Sequence, residues 1–276
     1  MRICRMAVLA LLGFLLASQG FAQEDAEGIV SPAGFIRYFT IGGGAVYQEF
    51  FDESISSIRY QGFGAAPQFG NIKMNEKMYS ELILQPSYAV LKRPSDKTFK
   101  TDVKSYRGSL DYKHLYKIQL RNERLDFRPG GLVSMNFNYK DAPQMASTGY
   151  VREYAISLGV AARIAKEIEL DEQRLAHLSW AVGIPLVAHY ARPTYLNRIE
   201  RLDPDDKPGT DFFANSRTSF IGKYMRFNSK IAYDYALHNG NILMIGYTWD
   251  YYKMKTDINT VWFAENTVSL TLMFNY

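Results

Sequence analysis

The sequence predicts an all-β protein, a transmembrane antiparallel up-and-down β-barrel of about ten strands. Side-chain polarity alternates with a period of two residues from about residue 35 to the end of the chain. Many alternating segments reach the roughly ten residues with which a tilted strand crosses a bilayer. After residue 22 no run of about 18 apolar residues occurs, which excludes a membrane protein built of helices.

The N-terminal segment has the organisation of a secretory signal peptide. Arg2 and Arg5 precede an apolar run over residues 6–17, and small residues lead to a cleavage site near Ala22. We therefore divide the chain into a signal peptide, a short periplasmic segment and the barrel, which are residues 1–22, 23–34 and 35–276.

Cysteine content and charge exclude several classes of site. Cys4 is the only cysteine and leaves with the signal peptide, so the mature chain can hold neither a disulfide nor a cysteine-ligated metal. The 32 basic residues exceed the 28 acidic ones by four, and by two once Arg2 and Arg5 are removed. This excess gives no electrostatic footprint for nucleic acid, so no nucleic-acid partner is expected.

The alternation predicts ten strands. It is clearest at the C-terminus, where every second side chain from Val268 to Tyr276 is apolar and the intervening ones are mostly polar. The connections near 66–76 and 121–130 are longer than expected for periplasmic turns, so twelve strands stay an alternative. The predicted strands are residues 36–51, 55–66, 77–92, 105–120, 131–140, 149–167, 174–191, 217–236, 241–255 and 260–276.

The two faces of the predicted strands differ in kind. One face is aliphatic with aromatic residues at both ends, and the other carries small and charged side chains. Aromatic side chains are enriched at both interfaces of a membrane, so the aliphatic face between the two belts is predicted to contact lipid. The aromatic residues assigned to the outer belt are Tyr139, Tyr150, Tyr190, Tyr251 and Trp262, and those assigned to the inner belt are Tyr235, Phe274 and Tyr276.

The connections are predicted to be short on the periplasmic side and long outside. The turns at 169–172 and 238–241 are short, and the second contains an Asn-Gly pair that favours a tight hairpin. The outer connections include residues 92–104 and, longest, 192–216. This asymmetry is typical of bacterial outer-membrane barrels.

The chain resembles the Gram-negative outer-membrane β-barrel proteins. A signal peptide precedes a cysteine-free chain, and this chain ends on an alternating strand whose last residue is aromatic. The resemblance covers the mature chain as an architecture and matches no single characterised member. It implies location in the outer membrane, contact with outer-membrane lipid and lipopolysaccharide, and recognition by the barrel assembly machinery. The oligomeric state stays open. The implied C-terminal assembly signal consists of Val268, Leu270, Leu272, Phe274 and Tyr276.

Charged residues on the second face are predicted to fill the lumen. A barrel of about eight strands is filled by its own side chains, so ten strands imply a lumen plugged by ion pairs and bulky tyrosines, or a narrow path that favours anions. The predicted lumen cations are Arg59, Arg107, Lys113, Lys117, Arg121, Arg163, Arg226 and Lys230. The predicted lumen anions are Glu81, Asp111, Glu153, Asp234 and Asp250, and the tyrosines are Tyr224 and Tyr252.

A lipid-cleaving site is the first enzymatic alternative. His177 and Ser179 share one face of a strand and could act as base and nucleophile, with Glu153 as the orienting carboxylate. Outer-membrane acyl hydrolases use a His-x-Ser of this kind. Here Trp180 follows the serine where those motifs have asparagine, and the pair is predicted near the periplasmic end.

An omptin-like protease is the second enzymatic alternative. It needs carboxylates and a histidine at the outer rim, where His189 and Asp250 are predicted to face the lumen and the acidic residues 203–206 lie in the longest outer connection. The spacing does not reproduce the motifs of that family. No metal-binding or nucleotide-binding motif occurs, so no metal or cofactor is expected.

These observations favour a non-enzymatic outer-membrane protein. It is expected to have a structural role, to take part in surface interactions or to contact assembly partners. The outer loops are expected to make these contacts. A narrow solute channel is the alternative, and an acyl hydrolase or protease is the further alternative.

Overall fold

Adjacent strands of the wall pair antiparallel, and the first and last strands close the sheet on itself. The computed structural model describes residues 34–53, 56–93, 102–121, 124–142, 150–171, 174–192, 216–237, 239–255 and 260–276. The predicted signal peptide and most of the predicted periplasmic segment lie outside these residues. The strands are β1 Ile36–Asp52, β2 Ser56–Met74, β3 Met78–Lys92, β4 Val103–Tyr116, β5 Leu125–Asp141, β6 Tyr150–Asp171, β7 Arg174–Ala191, β8 Ser216–Phe220, β9 Tyr224–Ala236, β10 Ile242–Lys255 and β11 Thr260–Asn275.

The barrel closes between β1 and β11. Their ladder runs without interruption from Tyr38 opposite Asn275 to Asp52 opposite Val261. On the far side β6 pairs with β7, so the sheet returns to its start. The prediction of an all-β antiparallel barrel is confirmed. Among the described residues there is no helix that is long and apolar enough to span a membrane.

Ten strand positions make up the wall. The short β8 pairs with the last residues of β7, whereas β9 pairs with β7 only up to Gly183 opposite Asn228. A turn separates β8 from β9, and its Gly222 has a φ of 129°, which favours glycine. β8 and β9 therefore share one position, which sequence alternation had predicted as a single strand over 217–236.

The count of ten excludes the twelve-stranded alternative, because two strands are longer than predicted. β2 continues to Met74, through glycines and Pro67, and β5 begins at Leu125, ahead of Pro129. Glycine and proline are depleted in strands, so both segments read as loops in the sequence.

The connections differ in length at the two ends of the barrel. We name the end that carries Gly34 and Tyr276 the inner end, and the opposite one the outer end. At the inner end the strand bounds leave residues 75–77, 172–173 and 237–241 as connections, and at the outer end they leave residues 93–102 and 192–215. The predicted asymmetry holds for these connections only. Residues 53–55 and 256–259 are short connections at the outer end, and residues 117–124 are a longer one at the inner end.

The outward face of β11 is apolar, as predicted. Val268 and Leu270 are more than half exposed, and Leu272, Phe274 and Tyr276 also face outward. At the outer end Trp262 stacks on Phe51 with ring centroids 6.3 Å apart. An aliphatic band bounded by rings therefore surrounds the barrel.

The aromatic assignment of Tyr190 is wrong. The ladder between β6 and β7 shifts register between Leu158 and Gly159, which leaves Leu186 unpaired. This bulge reverses the side-chain phase of the rest of β7. Tyr190 consequently faces inward and is buried, and His189 faces outward and is exposed.

A methyl group added at Gly130 is expected to destabilise the barrel by about 2 kcal/mol, because the tightly curved wall has no room for it. A Cβ atom there would lie 2.0 Å from the carbonyl oxygen of His114 on β4. Gly131 is the matched control, since a Cβ at that position meets nothing within 4 Å. Urea unfolding in lipid vesicles should show a lower midpoint for Gly130→Ala than for Gly131→Ala. Equal midpoints would contradict the packing of β4 against β5.

Candidate functional site

Among the described residues, most of the ion pairs inside the barrel fall into three clusters. We call the middle one the central cluster, and it consists of Arg107, Asp111, Arg226, Asp250 and Glu265. These residues lie on β4, β9, β10 and β11. Their side chains point inward because they occupy the same phase of the ladders that join these strands.

Ion pairs of the central cluster cross the full width of the lumen. Arg107 Nη2 lies 2.6 Å from Asp250 Oδ2, although β4 and β10 are five positions apart in either direction around the wall. Arg226 of β9 likewise reaches Asp111 of β4, with Nη1 and Nη2 lying 2.8 and 3.0 Å from the two carboxylate oxygens. These contacts hold opposite walls together and occupy the space between them.

The central cluster is enclosed and extensively hydrogen-bonded. The side chains of Arg107 and Arg226 are only 2% and 1% exposed. Glu265 accepts hydrogen bonds from Arg107 and from Gln48 and Ser87, each at 2.8–2.9 Å. Because each charge has opposite charges and polar donors or acceptors around it, the cost of removing it from water is offset.

A second group, the outer cluster, lies toward the outer end. Its members are Asp52, Lys140, Glu153, Arg192 and Tyr252, from five parts of the wall. Lys140 Nζ lies 3.3 Å from Glu153, the Tyr252 hydroxyl donates to Glu153 at 2.6 Å, and Arg192 pairs with both Glu153 and Asp52. All four charged side chains are at most 1% exposed. Buried aromatic rings, among them Phe50, Phe263, Tyr190 and Tyr224, fill the space around this cluster.

The inner cluster lies below the central one and is more accessible. Glu81 is 3.2 Å from Lys113 and 3.7 Å from Lys230, and Arg163 is 3.8 Å from Asp234. The side chains of Lys230, Arg163 and Asp234 are 13–14% exposed. Water therefore reaches part of this cluster, and in the central cluster it reaches Asp111, whose side chain is 15% exposed.

Most of the residues predicted for the lumen lie in these clusters, but three cations do not. Arg59 lies on the outward face of β2, where its side chain is 67% exposed and 3.6 Å from Glu49. Lys117 and Arg121 follow the end of β4 and are exposed. The predicted residues found in the clusters are Glu81, Arg107, Asp111, Lys113, Glu153, Arg163, Arg226, Lys230, Asp234 and Asp250, and Tyr224 and Tyr252 are also buried inside.

Sequence reasoning missed four charges of the clusters. Asp52 and Arg192 lie at strand ends, where alternation gives little guidance, whereas Lys140 and Glu265 follow the inward phase of long strands. Inside the three clusters acidic residues are as numerous as basic ones. The predicted excess of lumen cations, and with it the predicted preference for anions, finds no support in this arrangement.

The structure does not bring the proposed hydrolase residues together. Ser179 lies opposite Ala165, and Glu153 is twelve residues farther along β6, which corresponds to about 40 Å. Glu153 belongs to the outer cluster, while His177 lies at the inner end, 3.9 Å from Glu167. Glu153 is therefore too far away to orient His177 as the mechanism would need.

The residues considered for a protease are also apart. His189 faces outward, 3.0 Å from the Thr218 hydroxyl, whereas Asp250 points inward between two arginines. Asp203, Asp205 and Asp206 lie outside the described residues. Across the part of the chain that the structure describes, no group of three or more acidic or histidine side chains could hold a metal ion.

Comparison with known proteins gives distant structural similarity. No family model and no curated protein matches the chain. The outer membrane protease OmpT of Escherichia coli is 8% identical with a TM-score of 0.47, covering 91% of this chain and 99% of that chain. Neisserial surface protein A is 13% identical with a TM-score of 0.34, covering 86% and 97%. A Pseudomonas aeruginosa FadL homologue is 10% identical with a TM-score of 0.34, covering 87% and 90%.

Similarity at this level transfers no activity, so the assignment rests on the geometry of the chain itself. The sheet is closed, its outward face is an aliphatic band with aromatic residues at both ends, and its interior holds ion pairs together with buried apolar side chains. The structure is a closed ten-stranded antiparallel β-barrel with the architecture of the Gram-negative outer-membrane barrel proteins that the sequence resembles.

Proposed function

We propose that the protein is an integral outer-membrane barrel with a sealed interior, that it is non-enzymatic, and that it acts through its outer end. The observation that carries this proposal is the set of ion pairs between opposite strands of the central cluster. A water-filled pore would leave the charged groups on its wall accessible to solvent. Here the charged side chains at two levels of the lumen are at most 5% exposed, except Asp111 at 15%.

The outer end then offers the surfaces for contacts. The longest connection, residues 192–215, joins β7 to β8 at this end. Long connections at one end of a rigid barrel are where binding residues are commonly found. The proposed role is therefore structural, in surface interaction, or in contacts with partner proteins of the envelope.

Location in the outer membrane follows from the same features. Every backbone group of a closed barrel is paired within the sheet, which is a requirement for spanning a bilayer. The predicted signal peptide provides export, and the outward side chains of β11 provide the strand that the barrel assembly machinery would recognise. Outer-membrane lipid and lipopolysaccharide are then the immediate surroundings of the barrel.

The refolded protein is expected to show no single-channel conductance in a planar bilayer, because the central and outer clusters close the lumen. A sixteen-stranded porin, whose barrel leaves a channel, is the positive control. Heat modifiability on a detergent gel verifies that the tested protein is folded. Regular conductance steps from the heat-modifiable protein would refute the sealed interior and favour the narrow solute channel.

A further inference from the structure

Strand β8 is paired along one edge, and among the described residues no strand pairs with its other edge. Ser216–Phe220 pair with Val187–Ala191 of β7. Strand β9 pairs with β10 from Tyr224 onward, but with β7 only up to Gly183. The bridge between Ile221 and Tyr224 is the contact that joins the end of β8 to the start of β9. We call the side of β8 that faces away from β7 the β8 edge.

The β8 edge projects beyond the neighbouring part of the wall. Gly183 of β7, Asn228 of β9 and Asp250 of β10 are paired in one row. From this row β7 continues for eight more residues, whereas β10 continues for five. The difference of three residues corresponds to about 10 Å along the strands. The backbone amide of Lys255 donates to the carbonyl of Lys223 at 2.7 Å, so the end of β10 contacts the turn after β8 and not β8 itself.

The composition of β8 places it at the outer rim, outside the hydrocarbon of the membrane. Four of its five residues carry polar side chains, the exception being Phe220. Phe220 and the following Ile221 are 72% and 62% exposed. An open strand edge is costly in hydrocarbon, where no water satisfies the backbone amides and carbonyls. The polar sequence and the open edge therefore both indicate an aqueous location.

An open strand edge is complementary to an extended peptide backbone, because an added strand satisfies its amides and carbonyls. A second copy of the chain does not fit. Two barrels in one membrane have the same orientation, so their β8 strands run in the same direction and cannot pair antiparallel. Two copies related by a twofold axis along the membrane normal also present the same edge to each other, whereas parallel pairing joins opposite edges.

We propose that the β8 edge binds an extended segment of a partner protein by strand addition, and that this segment carries apolar and acidic side chains. The apolar side chains cover Phe220 and Ile221. The preference for acidic side chains follows from residues 216–223, which contain two basic residues, Arg217 and Lys223, and no acidic one. This inference rests on the proposed role of the outer end in contacts, and it names the kind of partner that this end fits.

Selection from a library of random linear peptides can test this proposal, with the parent barrel in lipid nanodiscs as the target and empty nanodiscs as the background. The selected peptides should combine apolar with acidic residues. The double variant Phe220→Glu, Ile221→Glu should bind them at least about tenfold more weakly, because it removes the apolar contact and repels acidic side chains. The matched control is Ile118→Glu, Leu120→Glu, at two exposed apolar residues of the inner end. Its affinity should stay within about twofold of the parent protein.

Backbone methylation of a selected peptide distinguishes strand addition from a contact of side chains alone. In an extended strand successive amides point to opposite sides, so only every second amide of the peptide faces β8. Methylation of one alternate set of amides should abolish binding, and methylation of the other set should preserve it. Equal tolerance of both sets would overturn the proposal.

Three further results would also overturn it. The first is a lack of peptides enriched over empty nanodiscs, and the second is unchanged binding by the variant of Phe220 and Ile221. The third is binding that appears only after residues 196–212 have been deleted, because the chain's own connection would then occupy the edge. Heat modifiability verifies that each variant is folded. Peptide binding is independent of conductance, so a conducting barrel that binds these peptides would refute the sealed interior and support the docking edge.

Discussion

Replacing Asp250 with asparagine is expected to lower the free energy of unfolding by about 4 kcal/mol. Asp250 lies between two buried arginines, 2.6 Å from Arg107 and 2.5 Å from Arg226. Asparagine keeps the shape of the side chain but removes its charge. Arg107 then depends on Glu265 alone and Arg226 on Asp111 alone, while both arginine side chains are at most 2% exposed.

Unfolding by urea in lipid vesicles, followed by tryptophan fluorescence, measures this loss. Glu49→Gln is the matched control, since it removes a carboxylate from an exposed pair on the outside of the barrel. Exposed pairs contribute about 0–1 kcal/mol, so this variant should unfold close to the parent protein. If Asp250→Asn cost no more than Glu49→Gln, the ion pairs across the lumen would not hold the walls together.

Deleting residues 274–276 is expected to reduce the membrane-inserted fraction by at least about tenfold, because it opens the junction that closes the barrel. Phe274 is paired with Phe39, and the backbone amide of Tyr276 donates to the carbonyl of Arg37 at 3.3 Å. The Tyr276 hydroxyl also contacts the Asn71 side-chain amide at 2.5 Å. Without these residues, backbone groups at the start of β1 lose their partners on β11.

The control is a deletion of equal size, residues 204–206, in the connection between β7 and β8. Water can satisfy the backbone of an external connection, so this deletion should leave insertion nearly unchanged. Both proteins are expressed together with the parent, and the heat-modifiable fraction of each is measured in outer membranes. Normal insertion of the terminal deletion, with failure of the loop deletion, would contradict the pairing of β1 with β11.

Strand alternation predicted most of the wall correctly, because one side of each strand contacts an apolar environment and the other does not. In β10 and β11 each assigned side chain has its predicted phase. The method works there because neither strand contains a bulge. The prediction of ten strands held as well, although the segments that left twelve open proved to be parts of β2 and β5.

The failures have local physical causes. In β7 the unpaired Leu186 inverts the phase of the following residues, so Tyr190 and His189 exchanged faces. Arg59 was placed on the wrong face because its neighbour Tyr60 is apolar in character yet faces inward, into the buried aromatic cluster. A bulge depends on the fit between neighbouring strands, and the order of residues in one strand does not reveal it.

The sequence predicts that charged side chains form ion pairs in the lumen, but it does not predict which residues pair with each other. Inward charges need partners in a filled lumen, which sequence reasoning anticipated. Which residues meet depends on the stagger and closure of the barrel, since Arg107 and Asp250 are 143 residues apart in sequence.

The union of the first and last strands makes the chain a candidate for circular permutation. Residue 34 and Tyr276 end at the same rim, so a short linker could join them and new termini could be opened at 75–77 or 237–241. Such a permutant would keep each ladder of the wall while ending on a different strand. Tyr276 would then remain part of the barrel but would no longer be the C-terminal residue. The permutant would therefore distinguish the contribution of Tyr276 to the sheet from a role of the C-terminus as an assembly signal.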